Sequence, residues 1–411
     1  MKTPIDRRLF TILMIVFVQM LGASMILPIL PLYAQRQFGL TPETITLLVS
    51  VFFAAQFLAG PTIGRLSDNY GRLPVLIVSQ IGTAVSFVML ALAPGPFLLF
   101  AARTLDGITG GNIIVAQAYV TDVTPREKRT EALGYVFAAF GLGFIFGPAL
   151  GGVLSAAFGP RVPFIVAAVA AALTVLLTWV TLDETVTPEQ RETNRRVKQS
   201  GLEPAEVLRN FPLLLIFIAG FVGQFALGLL QSTFSLYAEV VLFPGYDDDA
   251  TNLGIGLLLA VVGVSQFVTQ TFLLPRMIGR VGDALLVIIG TLVRSLGLLI
   301  FAVVTSPWLG AFGSLFFAAG LGMMMPSLQS LATKTVGDQV RGGVLGLYQS
   351  IVSLSIIIST AIAGVMFNIS PITPYWIGLL LSMLSLIPAL VIWQRARQNK
   401  LTPDHVPVGL D

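Results

Sequence analysis

The chain has 411 residues, 55% of them hydrophobic and only 11% charged, with a net charge of +3. Soluble domains carry roughly 25% charged residues, so this composition excludes a water-facing globular fold and specifies a multi-pass integral membrane protein. Cysteine is absent and the lone histidine, His405, lies in the polar C-terminal tail, which excludes disulfides, thiol chemistry and a histidine-based metal or proton site inside the membrane.

A spanning helix takes about 20 apolar residues. Twelve runs qualify, at 9–33, 44–63, 75–92, 97–120, 132–156, 162–182, 213–241, 254–274, 284–304, 308–331, 344–367 and 375–393. The first is too long for a signal peptide, and no small-residue cleavage site follows it. With the N-terminus in the cytoplasm, 20 Lys and Arg fall on cytoplasmic segments and two, Arg36 and Arg161, on outer loops; Arg103 and Arg294 lie inside spans. This skew predicts that both termini are cytoplasmic. The spread of basic residues over short loops gives no nucleic-acid footprint.

In chain order, the first run carries Gln19 near its middle and ends in Pro28 and Pro31, which kink a helix and suit the lining of a cavity. The second and third runs are joined by a dense polar stretch, 64–74, with Gly64, Asp68, Gly71 and Arg72. Both glycines fit tight turns and close backbone approach. Arg72 and Asp122, at the inner ends of neighbouring spans, are either an ion pair or two solvated loop charges. The fourth run holds Arg103 and Asp106, three apart and so on one helix face, with Asn112 following. Charges at such depth face a bundle interior or a watery cavity. This pair is therefore a substrate or proton site, or a structural lock between helices. The fifth run holds Gly143, Gly147, Pro148, Gly151 and Gly152, whose small residues four apart allow close helix approach.

Charges then cluster from 184 to 212, which divides the chain into an N-terminal bundle at 1–183, a cytoplasmic linker at 184–212 and a C-terminal bundle with its tail at 213–411. The second half echoes the first. Arg276 and Gly282 fall 211 residues after Arg65 and Gly71, and Gly279 takes the place of Asp68. A near-constant shift predicts duplicated halves. Gln224 and Gln231, seven apart, face one way, and either lines a cavity or bonds between helices. Arg294 cannot shed its charge and needs an anion, carbonyls or water; with no acid on its own run, the candidate anions are a substrate group and Asp106.

Three stretches resemble the major facilitator superfamily. Gly64, Leu66, Asp68, Gly71 and Arg72 match its loop pattern G-x-L-a-D-r-x-G-R. Arg103 and Gly107 match R-x-x-q-G-x-g, with Asp106 in the variable slot. Gly143 to Gly152 match g-x-x-x-G-P-x-x-G-G, which marks antiporters there. Within the superfamily the chain is similar to the twelve-helix drug:proton antiporters, especially the tetracycline-exporter-like branch. The resemblance implies an all-α membrane protein of major facilitator fold, with two pseudo-symmetric six-helix bundles. It implies a latch in which Asp68 docks on the N-terminus of the eleventh helix, and a cavity in which Gln231 and Gln19 both stand.

The function implied is secondary transport by alternating access: a proton-coupled exporter of small amphipathic compounds. Arg103 and Arg294 against Asp106 tilt the cavity towards neutral or anionic substrates. Asp106 is the candidate proton carrier, its charge disfavoured by apolar surroundings and favoured by Arg103. The chain departs from that branch at Gln19, where the relatives carry an acid that takes part in proton coupling. The alternative is a lipid or glycolipid flippase, or an organic-anion transporter, without proton coupling. A non-transporting receptor is disfavoured by the gating motifs. No G-x-x-x-x-G-K-S/T run and no nucleophile, base or ligand cluster appears, so neither an ATP-driven pump nor an enzyme is expected, and no cofactor or metal. The expected partners are a small molecule, protons and membrane lipid, with the protein a monomer in a bacterial inner membrane.

Overall fold

The structure is a computed structural model that describes residues 7–110, 112–125, 129–187, 210–336 and 341–398. Every regular element in it is helical: α1 (Arg7–Phe38), α2 (Pro42–Tyr70), α3 (Arg72–Ala91), α4 (Pro96–Thr109), α5 (Asn112–Val123), α6 (Arg129–Phe158), α7 (Val162–Thr181), α8 (Phe211–Tyr237), α9 (Asp248–Val268), α10 (Leu274–Val303), α11 (Pro307–Lys334), α12 (Arg341–Ile369), α13 (Thr373–Leu384) and α14 (Leu386–Arg397). Two π-helical turns, Ala238–Leu242 and Thr269–Leu273, follow α8 and α9. Proline sits in the first turn of α2, α4, α7 and α11, where its missing N–H costs no helical bond.

Ten stretches among the described residues are long and apolar enough to cross a membrane. One of them, Asp248–Val303, runs for 56 residues and contains both the eighth and ninth predicted spans. The fourth predicted span is instead split into α4 and α5 after Gly110, and the twelfth into α13 and α14 at Ser385, three residues before Pro388. Hydropathy marks only what lies in hydrocarbon, and helices continue past it. The polar stretch 64–74 is therefore a corner between two helices, not a loop: α2 runs to Tyr70, α3 starts at Arg72, and Gly71 alone turns the chain. The polar stretch 275–283 is likewise helical, broken at Gly282.

The chain forms two compact units, Met1–Lys198 with Phe234–Gly263, and Gln199–Thr233 with Val264–Asp411. In the first, α1 packs on α6 and α7, α3 on α7 and α4, and α2 on α4. Its buried apolar cluster includes Ile12, Ile15, Leu76, Tyr119, Val120 and Val136. In the second, α10 packs on α11, α13 and α14. Large apolar side chains such as Leu58, Trp179, Trp308 and Leu380 point outward. In lipid such exposure carries no penalty, so helix association rests on small residues and hydrogen bonds.

Candidate functional site

Arg72, which opens α3, holds the corner between α2 and α3. Its guanidinium lies 2.5 Å from Asp68, 2.7 Å from Ser67 and 3.0 Å from Asp122 at the end of α5. Asp122 also accepts the Thr185 hydroxyl at 3.0 Å. Glu184, just beyond α7, accepts the backbone N–H groups of Arg72 at 2.9 Å and Leu73 at 3.2 Å. An acid there meets the positive end of the α3 dipole and caps donors that have no helical partner. Of the two readings left open for Arg72 and Asp122, the structure has the ion pair, and Asp68 joins it. Glu184 was missed, because hydropathy placed it merely at the edge of the linker.

The two glycines of the motif part company. Gly71 adopts φ 110° and ψ 156°, a region open to glycine almost alone. Gly64 is helical, and among the described residues open space surrounds the position of an added Cβ, so neither a turn nor a close approach requires it.

The second half repeats this corner with altered charges. Gly282 adopts φ 77° and ψ 162°, the counterpart of Gly71. Arg65 donates to the carbonyl four residues back, that of Pro61, and Arg276 does the same to Phe272. Asp283 stands 211 residues after Arg72, and Lys334 stands 212 after Asp122. The two form an ion pair between α10 and α11. The same two places thus carry a cation–anion pair in one half and an anion–cation pair in the other.

Deeper in the first unit, Arg103 and Asp106 pair at 2.8 Å, with residue exposures of 7% and 5%. The guanidinium carbon sits 4.1 Å from the centre of the Phe52 ring on α2, a cation–π contact, while Ser86 on α3 lies beside the carboxylate. Arg103 Nε has no hydrogen-bond partner among the described residues. Gly107 lets α4 press onto α2, since a Cβ there would meet Ala55 at 2.7 Å. Gln80, fully buried on α3, has neither amide atom satisfied among the described residues. Gln19 is buried in α1. The side chain of Asn112 lies outside the described residues.

The glycines of α6 divide into two faces. Gly143, Gly147 and Gly151, four apart, lie on α1: a Cβ on Gly143 would meet Leu21 N at 2.8 Å, and one on Gly147 would meet Leu21 O at 2.7 Å. The Ser24 hydroxyl lies 2.9 Å from the Gly143 carbonyl across this seam. Gly152, one step further round, lies on α9, where its Cβ would meet Asn252 O at 2.7 Å and Gly256 Cα at 3.2 Å. Gly263 continues that line against Ile145 Cα at 2.8 Å. Near the same end, Arg36 bonds Glu239 at 2.7 Å and approaches Asp248 at 3.2 Å, and Asn252 donates to the Ser155 hydroxyl at 3.2 Å.

In the second unit Arg294 is fully buried on α10. It donates to the Ser382 hydroxyl of α13 at 2.8 and 3.2 Å, and its Nη1 has no partner among the described residues. Nor does any carboxylate among them lie within ion-pair reach; the carboxylate of Asp106 is held by Arg103 instead. The Gly223 backbone and the methyl ends of Met324 and Met325 close around Nη1, as a Cβ on Gly223 would lie 2.9 Å from it. Gln224 donates to Met325 Sδ at 3.3 Å and leaves its own Oε1 unsatisfied among the described residues. Gln231 is half-buried further along α8. Ser382 was missed because a serine in an apolar run carries little signal.

The profile of the Major Facilitator Superfamily matches residues 12–247 and 238–408. The chain is 29% identical to the tetracycline resistance protein, class H, of Pasteurella multocida, over 98% of this chain and 99% of the relative. It is 30% identical to the class C protein of Escherichia coli, over 91% and 92% respectively. Among solved structures, the nucleoside transporter NupG superimposes with a TM-score of 0.76 at 14% identity, covering 95% of this chain and 99% of that one. The chain is a multi-pass integral membrane transporter, and it belongs to the Major Facilitator Superfamily.

Proposed function

We propose that the protein is a proton-coupled exporter of small amphipathic neutral or anionic compounds, working by alternating access in a bacterial inner membrane. The observation that carries this is the buried Arg103–Asp106 pair under the Phe52 ring. Arg103 keeps its charge at all accessible pH, so the pair opens only when Asp106 takes a proton or when another anion takes its place. Ionised Asp106, beside Arg103, accepts a hydrogen bond from a substrate O–H or N–H, and a proton on Asp106 removes that acceptor and expels the substrate. Exchange follows from one site serving two ligands in turn. Likeness to tetracycline resistance proteins over nearly the whole chain supports tetracycline as the first probe.

The wider reading has twelve spans in bundles 1–183 and 213–411 about a linker at 184–212, both termini cytoplasmic, acting as a monomer. In it the Asp68–Arg72–Asp122 network belongs to the inner gate, Asp68 exchanging Arg72 for the start of the eleventh span. Gly143 to Gly152 form the pliable seam. Gln19, Gln224, Gln231, Asn112 and Arg294 line the substrate path.

The test uses purified protein in liposomes under an imposed pH gradient, following internal pH while tetracycline and neutral, anionic and cationic amphiphiles are added. Substrate-dependent proton movement that vanishes in Asp106→Asn is the expected result. A second reading, uncoupled organic-anion transport, is favoured by Arg294 Nη1, which has no hydrogen-bond partner among the described residues. Anion flux without proton flux, equal in both proteins, would establish it and reduce Asp106 to a lock on α4.

A further inference from the structure

A cavity of about 440 Å³ lies at one end of the second unit, between α10, α11 and α14. Its lining includes Arg280, Asp283, Lys334, Trp393 and Arg397. This is the end that the Lys/Arg skew assigns to the cytoplasmic surface of the bilayer. Its volume falls in the range of small-molecule sites, roughly 300–1,000 Å³.

The charges in the cavity do not balance. Asp283 Oδ2 accepts from Lys334 and, at 2.8 Å, from Ser330, which neutralises one of the three cations. Arg280 is exposed, and the ion pair formed here among the described residues is that of Lys334 with Asp283, not one of Arg280. The guanidinium carbon of Arg397 sits 4.1 Å from the centre of the Trp393 ring, a cation–π contact that uses the ring face and takes none of its N–H donors. Two arginines thus remain uncompensated around one hollow. A second observation is independent of charge. Asp283 is 6% exposed, and its Oδ1 has no hydrogen-bond partner among the described residues. A buried carboxylate oxygen calls for a donor. The occupant must therefore bring an anion for Arg280 and Arg397 and an O–H for Asp283. Val281 and Ile278, 37% and 39% exposed, provide apolar surface beside the cavity.

We propose that this cavity binds the headgroup of an anionic phospholipid of the inner leaflet that carries hydroxyls beyond its phosphodiester, a phosphatidylglycerol in chemical class. The phosphate lies between Arg280 and Arg397, a headgroup hydroxyl donates to Asp283 Oδ1, and the acyl chains run along Val281 and Ile278. Basic pockets between spanning helices at this surface recognise such headgroups. The site is separate from the transport reading and stands or falls without it.

The experiment is native mass spectrometry of the delipidated full chain, titrated with phosphatidylglycerol, phosphatidylethanolamine and phosphatidylcholine. Phosphatidylglycerol is expected to bind first. Arg280→Gln and Arg397→Gln are each expected to weaken it roughly fivefold, while Arg7→Gln leaves it unchanged. Both arginines are exposed, so their loss should not disturb folding. A separate arm adds excess inorganic phosphate: persistence of the lipid adduct supports the headgroup, and full displacement would mean that the cavity reads free phosphate. Equal binding of the three lipids, or a preference untouched by either arginine variant, would overturn the proposal.

Discussion

Gly152→Ala tests the seam between α6 and α9. The new Cβ would lie 2.7 Å from the Asn252 carbonyl oxygen, 3.2 Å from Gly256 Cα and 3.3 Å from Leu253 Cα. All three obstacles are backbone, so no side chain can swing away. Ordinary contact begins near 3.4 Å, and the helices must part by the difference, about 0.7 Å. Overpacking of this kind costs about 1–3 kcal/mol. If the packed seam belongs to one state of a two-state cycle, that state loses between about 5- and 150-fold in population. The absence of native cysteine makes the assay clean. Ser155→Cys with Asn252→Cys replaces a pair now 3.2 Å apart across the seam, and its oxidation rate reads the population. Gly141→Ala on the same helix is the control, since nothing described lies within 4 Å of its Cβ. Helix propensity alone predicts a gain of up to about 1 kcal/mol there. A Gly152→Ala protein that cross-links and melts like its parent would refute the idea that this glycine sets the helix distance.

Three further outcomes follow from the geometry. Glu184→Gln, which removes the charge from the acceptor of the Arg72 and Leu73 N–H groups, should lower stability by about 0.5–2 kcal/mol, read as a fall in melting temperature in detergent. Asp106→Ala strands a buried guanidinium and should cost about 3–5 kcal/mol; adding Arg103→Ala should restore part of that, and a strictly additive double-mutant cycle would show that the two side chains are not coupled. Gly71→Ala and Gly282→Ala force alanine into φ 110° and φ 77°, and each should cost about 1–3 kcal/mol by thermal unfolding, whereas Gly64→Ala should cost nothing.

Composition and charge skew carried the helical membrane architecture, because hydrocarbon leaves backbone groups no partner except within a helix. The shared face of Arg103 and Asp106 was legible too, from a spacing of three, whereas motif position brought Arg72 and Asp122 to neighbouring helix ends without deciding whether they pair. Helix ends were not legible. The corner at Gly71 and the merged run through Gly282 reflect φ angles and caps, which hydropathy does not sense. Glu184 and Ser382 act through neighbours distant in sequence, 112 and 88 residues from Arg72 and Arg294 respectively, and only the folded chain joins them. The split of the α6 glycines into two faces was latent in the spacing, since Gly152 follows Gly151 by one step of about 100°, but the sequence does not name the helix on each side.

The first compact unit is discontinuous: it takes in Phe234–Gly263, while the 35 residues from Gln199 to Thr233 belong elsewhere. A ribosome adding about 5–20 residues per second needs roughly 3–13 seconds to pass from residue 199 to residue 263. Throughout that interval α6 has met α1 but not α9, so Gly152 faces lipid or the insertion machinery rather than its eventual neighbour. The N-terminal helices lack their contact with α9 until that segment has been made. Slowed elongation, or a ribosome stalled before Gly263, should leave an intermediate with one glycine face bare. That face, which any small-residue helix could occupy in error, makes the order of synthesis part of how the seam is kept for its proper partner.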